Sequence, residues 1–91
     1  MSVTIFVPGP LRDYCEGKRT LHSEARSVRA ALAEIEEHYP SLYSGVCDET
    51  GAVRRHINIF VNTLNMRDRG GLDTALVPGD EVTILPSVSG G

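Results

Sequence analysis

Apolar and polar residues alternate one by one at three places in this chain and recur with a helical period at a fourth. Val3, Ile5 and Val7 alternate with Thr4 and Phe6, which predicts a first strand with one apolar face, ended by the Pro8-Gly9-Pro10 breaker. Ile57, Ile59 and Val61 alternate with Asn58, Phe60 and Asn62, the clearest half-buried strand in the chain. Val82 and Ile84 give the last strand, Glu81 to Pro86, the same inward parity, and a weaker strand is predicted around Lys18 to Ser23. Between these, Val28, Ala31, Leu32, Ile35 and Tyr39 fall on one helical face, with Arg29, Glu34, Glu36 and Glu37 on or near the other. Ser27 is placed to cap that helix and Pro40 to stop it.

The remaining segments read as connections. Ser41 to Arg54 is expected to be irregular, and Asn62 to Asn65 to turn into a short edge strand near Met66-Arg67. Gly70-Gly71 opens a loop before Leu72 to Leu76, read as about one helical turn, because glycine tolerates the backbone angles such loops use. Pro78-Gly79 suits the two central positions of a type II turn: proline presets the first φ and glycine permits the positive second one.

Composition narrows the function classes. At 91 residues the chain is long enough for a single core and too short for an enzyme with a separate cofactor domain. With 41% hydrophobic and 23% charged residues it has ordinary globular composition, and no apolar run reaches membrane-spanning length. A formal charge of -3 argues against a nucleic-acid partner, since the arginines are scattered along the sequence. No basic leader precedes the first strand, so the expected location is cytoplasmic. Cys15 and Cys47 form no Cys-x-x-Cys pair and have no clustered histidine, which speaks against a metal; inert or partly buried thiols are expected, with a disulfide left open. His22, His38 and His56 are expected at the surface, and neither phosphate-binding glycine motif is present.

The chain ends Ser87-Val88-Ser89-Gly90-Gly91. A terminal Gly-Gly has no side chains to obstruct a narrow channel, and five extended residues beyond Pro86 reach about 17 Å. The predicted organisation is therefore a domain over residues 1–86 followed by a flexible tail, 87–91. Two strands, one main helix and further strands describe an α+β, β-grasp (ubiquitin-like) fold with a mixed sheet of about four to five strands, an element order shared with other small α+β folds.

Gly70-Gly71-Leu72-Asp73-Thr74-Ala75-Leu76 and the run from Gly79-Asp80 to Gly90-Gly91 resemble the C-terminal signature of the ThiS/MoaD sulfur-carrier family, in particular its CysO branch. His56 to Asn62 is similar to that group's central strand. The resemblance implies a protein co-substrate and not an enzyme. Gly91 would be the adenylate and thiocarboxylate site, and Gly90, Ser89 and Val88 would be recognised in the tail. It implies as partners an E1-like adenylating enzyme using ATP and Mg, a sulfur-accepting synthase of cysteine-synthase type or another, and a tail-processing metallohydrolase. No bound cofactor, metal, nucleic acid or membrane is expected. Cysteine is the first expected product; a molybdopterin synthase small subunit, a ubiquitin-like protein modifier and a non-covalent interaction module are the alternatives. In a β-grasp sheet the first, last and third strands are neighbours, so the outward residues Phe6, Phe60 and Leu85 are expected to form an exposed apolar docking patch.

Overall fold

The computed structural model describes residues 2–87. Its sheet is built from β1 (Val3–Phe6), β2 (Thr20–Ser23), β3 (Ile57–Val61), β4 (Leu64–Asn65) and β5 (Glu81–Pro86), in the order β2-β1-β5-β3-β4. β1 and β5 are parallel and every other pairing is antiparallel, which makes the sheet mixed and the fold a β-grasp.

One face of the sheet is covered by α1 (Val28–His38). Ser27 caps it as its composition predicts: the backbone is extended there and Oγ accepts from the Ala30 N–H at 3.1 Å. Val28, Ala31, Leu32 and Ile35 are buried with the inward residues of β1, β3 and β5 in one core. Each buried valine, leucine or isoleucine among them contributes roughly 1.5–3 kcal/mol of hydrophobic stabilisation when fully buried.

Pro40 does not open an irregular stretch. It starts a second helix, α2 (Pro40–Val46), where the missing proline N–H costs nothing because a first-turn donor has no intrahelical partner. Leu42 and Val46, four apart on one face of α2, are fully buried, and the helix packs on a 3-10 segment, Gly9–Cys15, that follows the proline breaker. Glu16 and Gly17, both at positive φ (63° and 77°), turn the chain out of that segment into β2, which begins at Thr20 and not at Lys18.

The short edge strand also lies elsewhere than expected. β4 is Leu64–Asn65, paired with Val61 and Phe60, and Met66–Asp68 is a 3-10 turn with Met66 buried. The two-residue connection leaves no room for the pairing to begin later. Pro78-Gly79 behaves as its residues demand: Gly79 has φ +95°, and the Asp80 N–H donates to the Val77 carbonyl at 3.0 Å.

Candidate functional site

The last described element is β5, the central strand. Its last ladder partner is β3, where Ile57 lies opposite Pro86. Ser87 was expected in the free tail, yet it extends the attachment: its N–H and its Oγ both donate to the His56 carbonyl, the hydroxyl at 3.0 Å. The exit is thus anchored to a fixed backbone atom. The tail positions Val88, Ser89, Gly90 and Gly91 lie outside the described residues.

The segments singled out by their resemblance to a terminal signature hold this exit strand in place. Asp80 accepts from the Val77 N–H through Oδ2 at 2.9 Å and from Asn62 Nδ2 through Oδ1 at 3.0 Å, while Asn62 Oδ1 accepts from the Glu81 N–H at 3.0 Å. These bonds lock the start of β5 to the β3–β4 connection, where Asn62 itself has φ 56°. Thr74, buried, donates its hydroxyl to the Gly71 carbonyl at 2.7 Å and accepts from the Gly70 N–H at 3.1 Å. Its carbonyl accepts from Val28 N, so the Gly70-Gly71 loop, with a 3-10 turn over Gly71–Asp73, also fixes the N-terminus of α1.

On the sheet face opposite α1, Phe6 and Phe60 both sit directly beside Thr83 of β5, one from each side, forming a row across three strands. Leu85 is one pleat further along β5 and level with Asn58. The expected exposed patch is only partly so: Leu85 is 45% exposed, whereas Phe6 and Phe60 are half-buried and Thr83 lies between them.

Sequence reasoning missed what surrounds the exit. Arg12 Nε donates to the Val7 carbonyl (3.0 Å), Arg54 Nε to the Ser44 carbonyl (2.9 Å), and Arg67 to Asn58 Oδ1 (2.9 Å) and the Arg54 carbonyl (3.3 Å). Arg67 and Arg54 are 13 residues apart in sequence and meet through the Arg54 carbonyl. An open concavity of about 570 Å³ beside Arg54, between the Gly9–Cys15 segment and α2, is walled by Leu11, Tyr14, Ser44, Arg54 and His56. A concavity of similar size, about 620 Å³, lies between β2 and α1, away from the exit.

Cys15 and Cys47 are free and buried, so no disulfide joins them. Burial pushes the Cys47 thiol up, away from the reactive thiolate form. Among the described residues no three His, Cys, Asp or Glu side chains cluster as a metal site. His22, His38 and His56 are exposed. Lys18, the single lysine, donates to Tyr39 Oη at 3.0 Å and lies 3.4 Å from Glu16; the bond to Tyr39 first, then that to Glu16, raises its pKa. Among the described residues, no helix is long and apolar enough to cross a membrane.

Comparison with known proteins agrees with this geometry. The ThiS family profile matches residues 5–91. Sulfur carrier protein CysO of Mycobacterium tuberculosis is 36% identical over 93 residues, covering all of both chains. A chain in the crystal structure of the Amycolatopsis orientalis BexX/CysO complex superposes with a TM-score of 0.89 at 30% identity, over 98% of this chain and 99% of that one. Small archaeal modifier protein 3 of Haloferax volcanii is 35% identical over 65 residues, 71% of this chain and 70% of its own.

Proposed function

The chain belongs to the ThiS family, and from that premise we propose that it is a sulfur carrier whose Gly91 carboxylate is the reacting group. The observation that supports this most is the end-to-end match to a CysO sulfur carrier, which includes the terminal diglycine. The architecture is in keeping with it: the central strand β5 runs into Ser87, whose hydroxyl donates to the His56 carbonyl.

The chemistry follows from what a carboxylate lacks. It is a poor electrophile until an oxygen becomes part of a good leaving group. In the proposed sequence, an E1-like partner using ATP and Mg lets the Gly91 carboxylate attack the α-phosphate. Pyrophosphate leaves and an acyl-adenylate forms. A sulfide-level nucleophile then attacks the carbonyl carbon and AMP departs, leaving a C-terminal thiocarboxylate. Gly90 and Ser89 supply a slim neck, and Val88 a side chain for tail recognition. Phe6, Phe60 and Leu85 supply the docking strip on the outer sheet face, where Leu85 is exposed and the two rings flank Thr83, because apolar surface left open on a small domain commonly marks a partner site. The chain is thus a protein substrate whose covalent sulfur is held at high effective concentration near the enzyme that docks it. A cysteine-synthase-like acceptor is the first candidate, and a tail-processing metallohydrolase a further partner.

The test is intact mass of the chain purified from its host, combined with thiol-directed labelling of the folded protein. Labelling is needed because oxidation of Met or Cys mimics an oxygen-to-sulfur exchange in nominal mass. Cys15 and Cys47 are buried, so native labelling is expected to spare them and to modify Gly91. A variant lacking Gly90 and Gly91 is expected to fold and to show no such form. If activating enzyme, ATP and a sulfur donor all fail to produce the labelled species from the intact chain, the sulfur-carrier reading falls.

The similarity to a small archaeal modifier favours one second reading, conjugation to other proteins, checked by searching for isopeptide-linked adducts. Lys18 is the single lysine, so chains of such adducts built through side-chain amines would have that one attachment point.

A further inference from the structure

Arg12, Arg54 and Arg67 are each tied to residues that neighbour the second half of β5 in the sheet or in sequence. Val7, whose carbonyl holds Arg12, follows Phe6, which is level with Thr83 of β5. Asn58, which holds Arg67, is level with Leu85. Arg54 lies two residues before His56, whose carbonyl holds Ser87. The Arg54 guanidinium is held in turn by the Ser44 carbonyl of α2, and Arg67 also donates to the Arg54 carbonyl, so three separate elements hold the three side chains.

All three are oriented by neutral acceptors. Bonds to carbonyl and amide oxygens fix a guanidinium without neutralising it, and each fork keeps unused N–H donors. Among the described residues the ion pairs are Lys18–Glu16 and Arg29–Asp73, so no described carboxylate lies within 4.0 Å of Arg12, Arg54 or Arg67. Asp48 senses Arg54 only as the weakest of the influences on its carboxyl. The chain has 12 acids against 9 Lys and Arg, and it has nevertheless left these cations together without an acid in contact. Arg54 and Arg67 are exposed, and Arg12 is half-buried.

We propose that these arginines form a basic collar that docks an acidic protein surface flanking the channel of the enzyme that takes the tail. This rests on the proposed activation of Gly91. The collar adjoins the apolar strip through Asn58 and Arg67, so one partner can cover both, with an apolar centre and a charged rim. A protein fits better than a nucleic acid. Three cations release few counterions, and the net charge of -3 repels a phosphate backbone. Rim charges act chiefly on encounter and its salt dependence, so the collar sets how readily the carrier is captured and leaves the chemical step alone.

Two measurements on the full chain test this. In the first, the 15N-labelled protein is titrated at low salt with a ten-residue oligoglutamate. Shifts are expected at Arg12, Arg54, Arg67 and their neighbours, lost in Arg54→Gln/Arg67→Gln and kept in Arg26→Gln. Shifts spread over the whole surface, or unchanged in the double variant, overturn the collar. Binding of a short single-stranded oligonucleotide to the same arginines at physiological salt overturns the choice of a protein partner. In the second, adenylation by the host's activating enzyme is followed as ATP–pyrophosphate exchange. The double Gln variant is expected to raise KM for the carrier roughly tenfold, flatten its salt dependence and leave kcat unchanged. Arg54→Lys/Arg67→Lys, which keeps the charge, is expected to restore KM, separating charge from any loss of structure. An unchanged KM and salt slope in the Gln variant overturns the proposal. If the wild-type chain is not adenylated at all, the activation reading fails, while the peptide titration still decides whether the collar binds acidic protein.

Discussion

On β1, β3 and β5, neighbouring residues belong to two surfaces with opposite demands. Toward α1, Val3, Ile5, Ile57, Ile59, Val61, Val82 and Ile84 are each at most 3% exposed. On the other side of the same strands stand Thr4, Phe6, Asn58, Phe60, Thr83 and Leu85, half-buried or exposed. The inner set is aliphatic, dominated by β-branched side chains locked into one packed layer, where a missing methylene leaves a void. The outer set mixes polar residues with two aromatic rings and a leucine, with Phe6 and Phe60 level with Thr83 and Asn58 level with Leu85. The difference shows how far a single pleat of β-strand reaches: one step along the chain turns a packed core position into one on the open face that the proposed docking would use.

The comparison is broken or sharpened most strongly by Ile59→Ala. Its side chain is fully buried at the centre of β3, and truncation is expected to cost about 2–5 kcal/mol, read from urea unfolding. A loss under about 1 kcal/mol would mean that the inner face is not the stabilising one. Phe60→Asp, one residue along, is expected to keep the fold, with a stability change no larger than about 1 kcal/mol. Adenylation by the activating partner should weaken through a raised KM. Unchanged adenylation kinetics would remove the outer strip from the docking surface, and a loss as large as that of Ile59→Ala would erase the distinction between the faces. The smallest effect is expected from Ser27→Ala, which removes the Oγ bond to the Ala30 N–H and should cost about 1 kcal/mol. Because it loosens only the helix over the inner face, partner kinetics should be indifferent to it.

Much of this was legible before any coordinates. Strand parity put Phe6, Phe60 and Leu85 on the outer face, and Ser27 and Pro78-Gly79 perform the local tasks their chemistry suits. α2 was illegible because Pro40 ends one helix and begins another. The stripe made by Leu42 and Val46 is only two residues long, so its helical period is too brief to register. β4 was displaced because a two-residue connection starts the return strand at Leu64, which the composition of Asn62 to Asn65 does not reveal. Ser87 was assigned to a free tail because the acceptor that holds it, the His56 carbonyl, lies 31 residues away in sequence.

What the sequence determined by itself is whatever depends on a few consecutive residues: which side chains share a strand face, where a helix is capped, where glycine permits a turn. Those follow from backbone geometry, whose periods of 2 and 3.6 residues are local. The tertiary structure alone decided that β5 lies between β1 and β3, so that Phe6 and Phe60 flank Thr83, and that Arg54 and Arg67 find their acceptors on other elements, at Ser44 and Asn58. Such meetings are products of long-range strand pairing and helix packing. No local period encodes them, which is why arginines scattered along the chain become a collar only once it is folded.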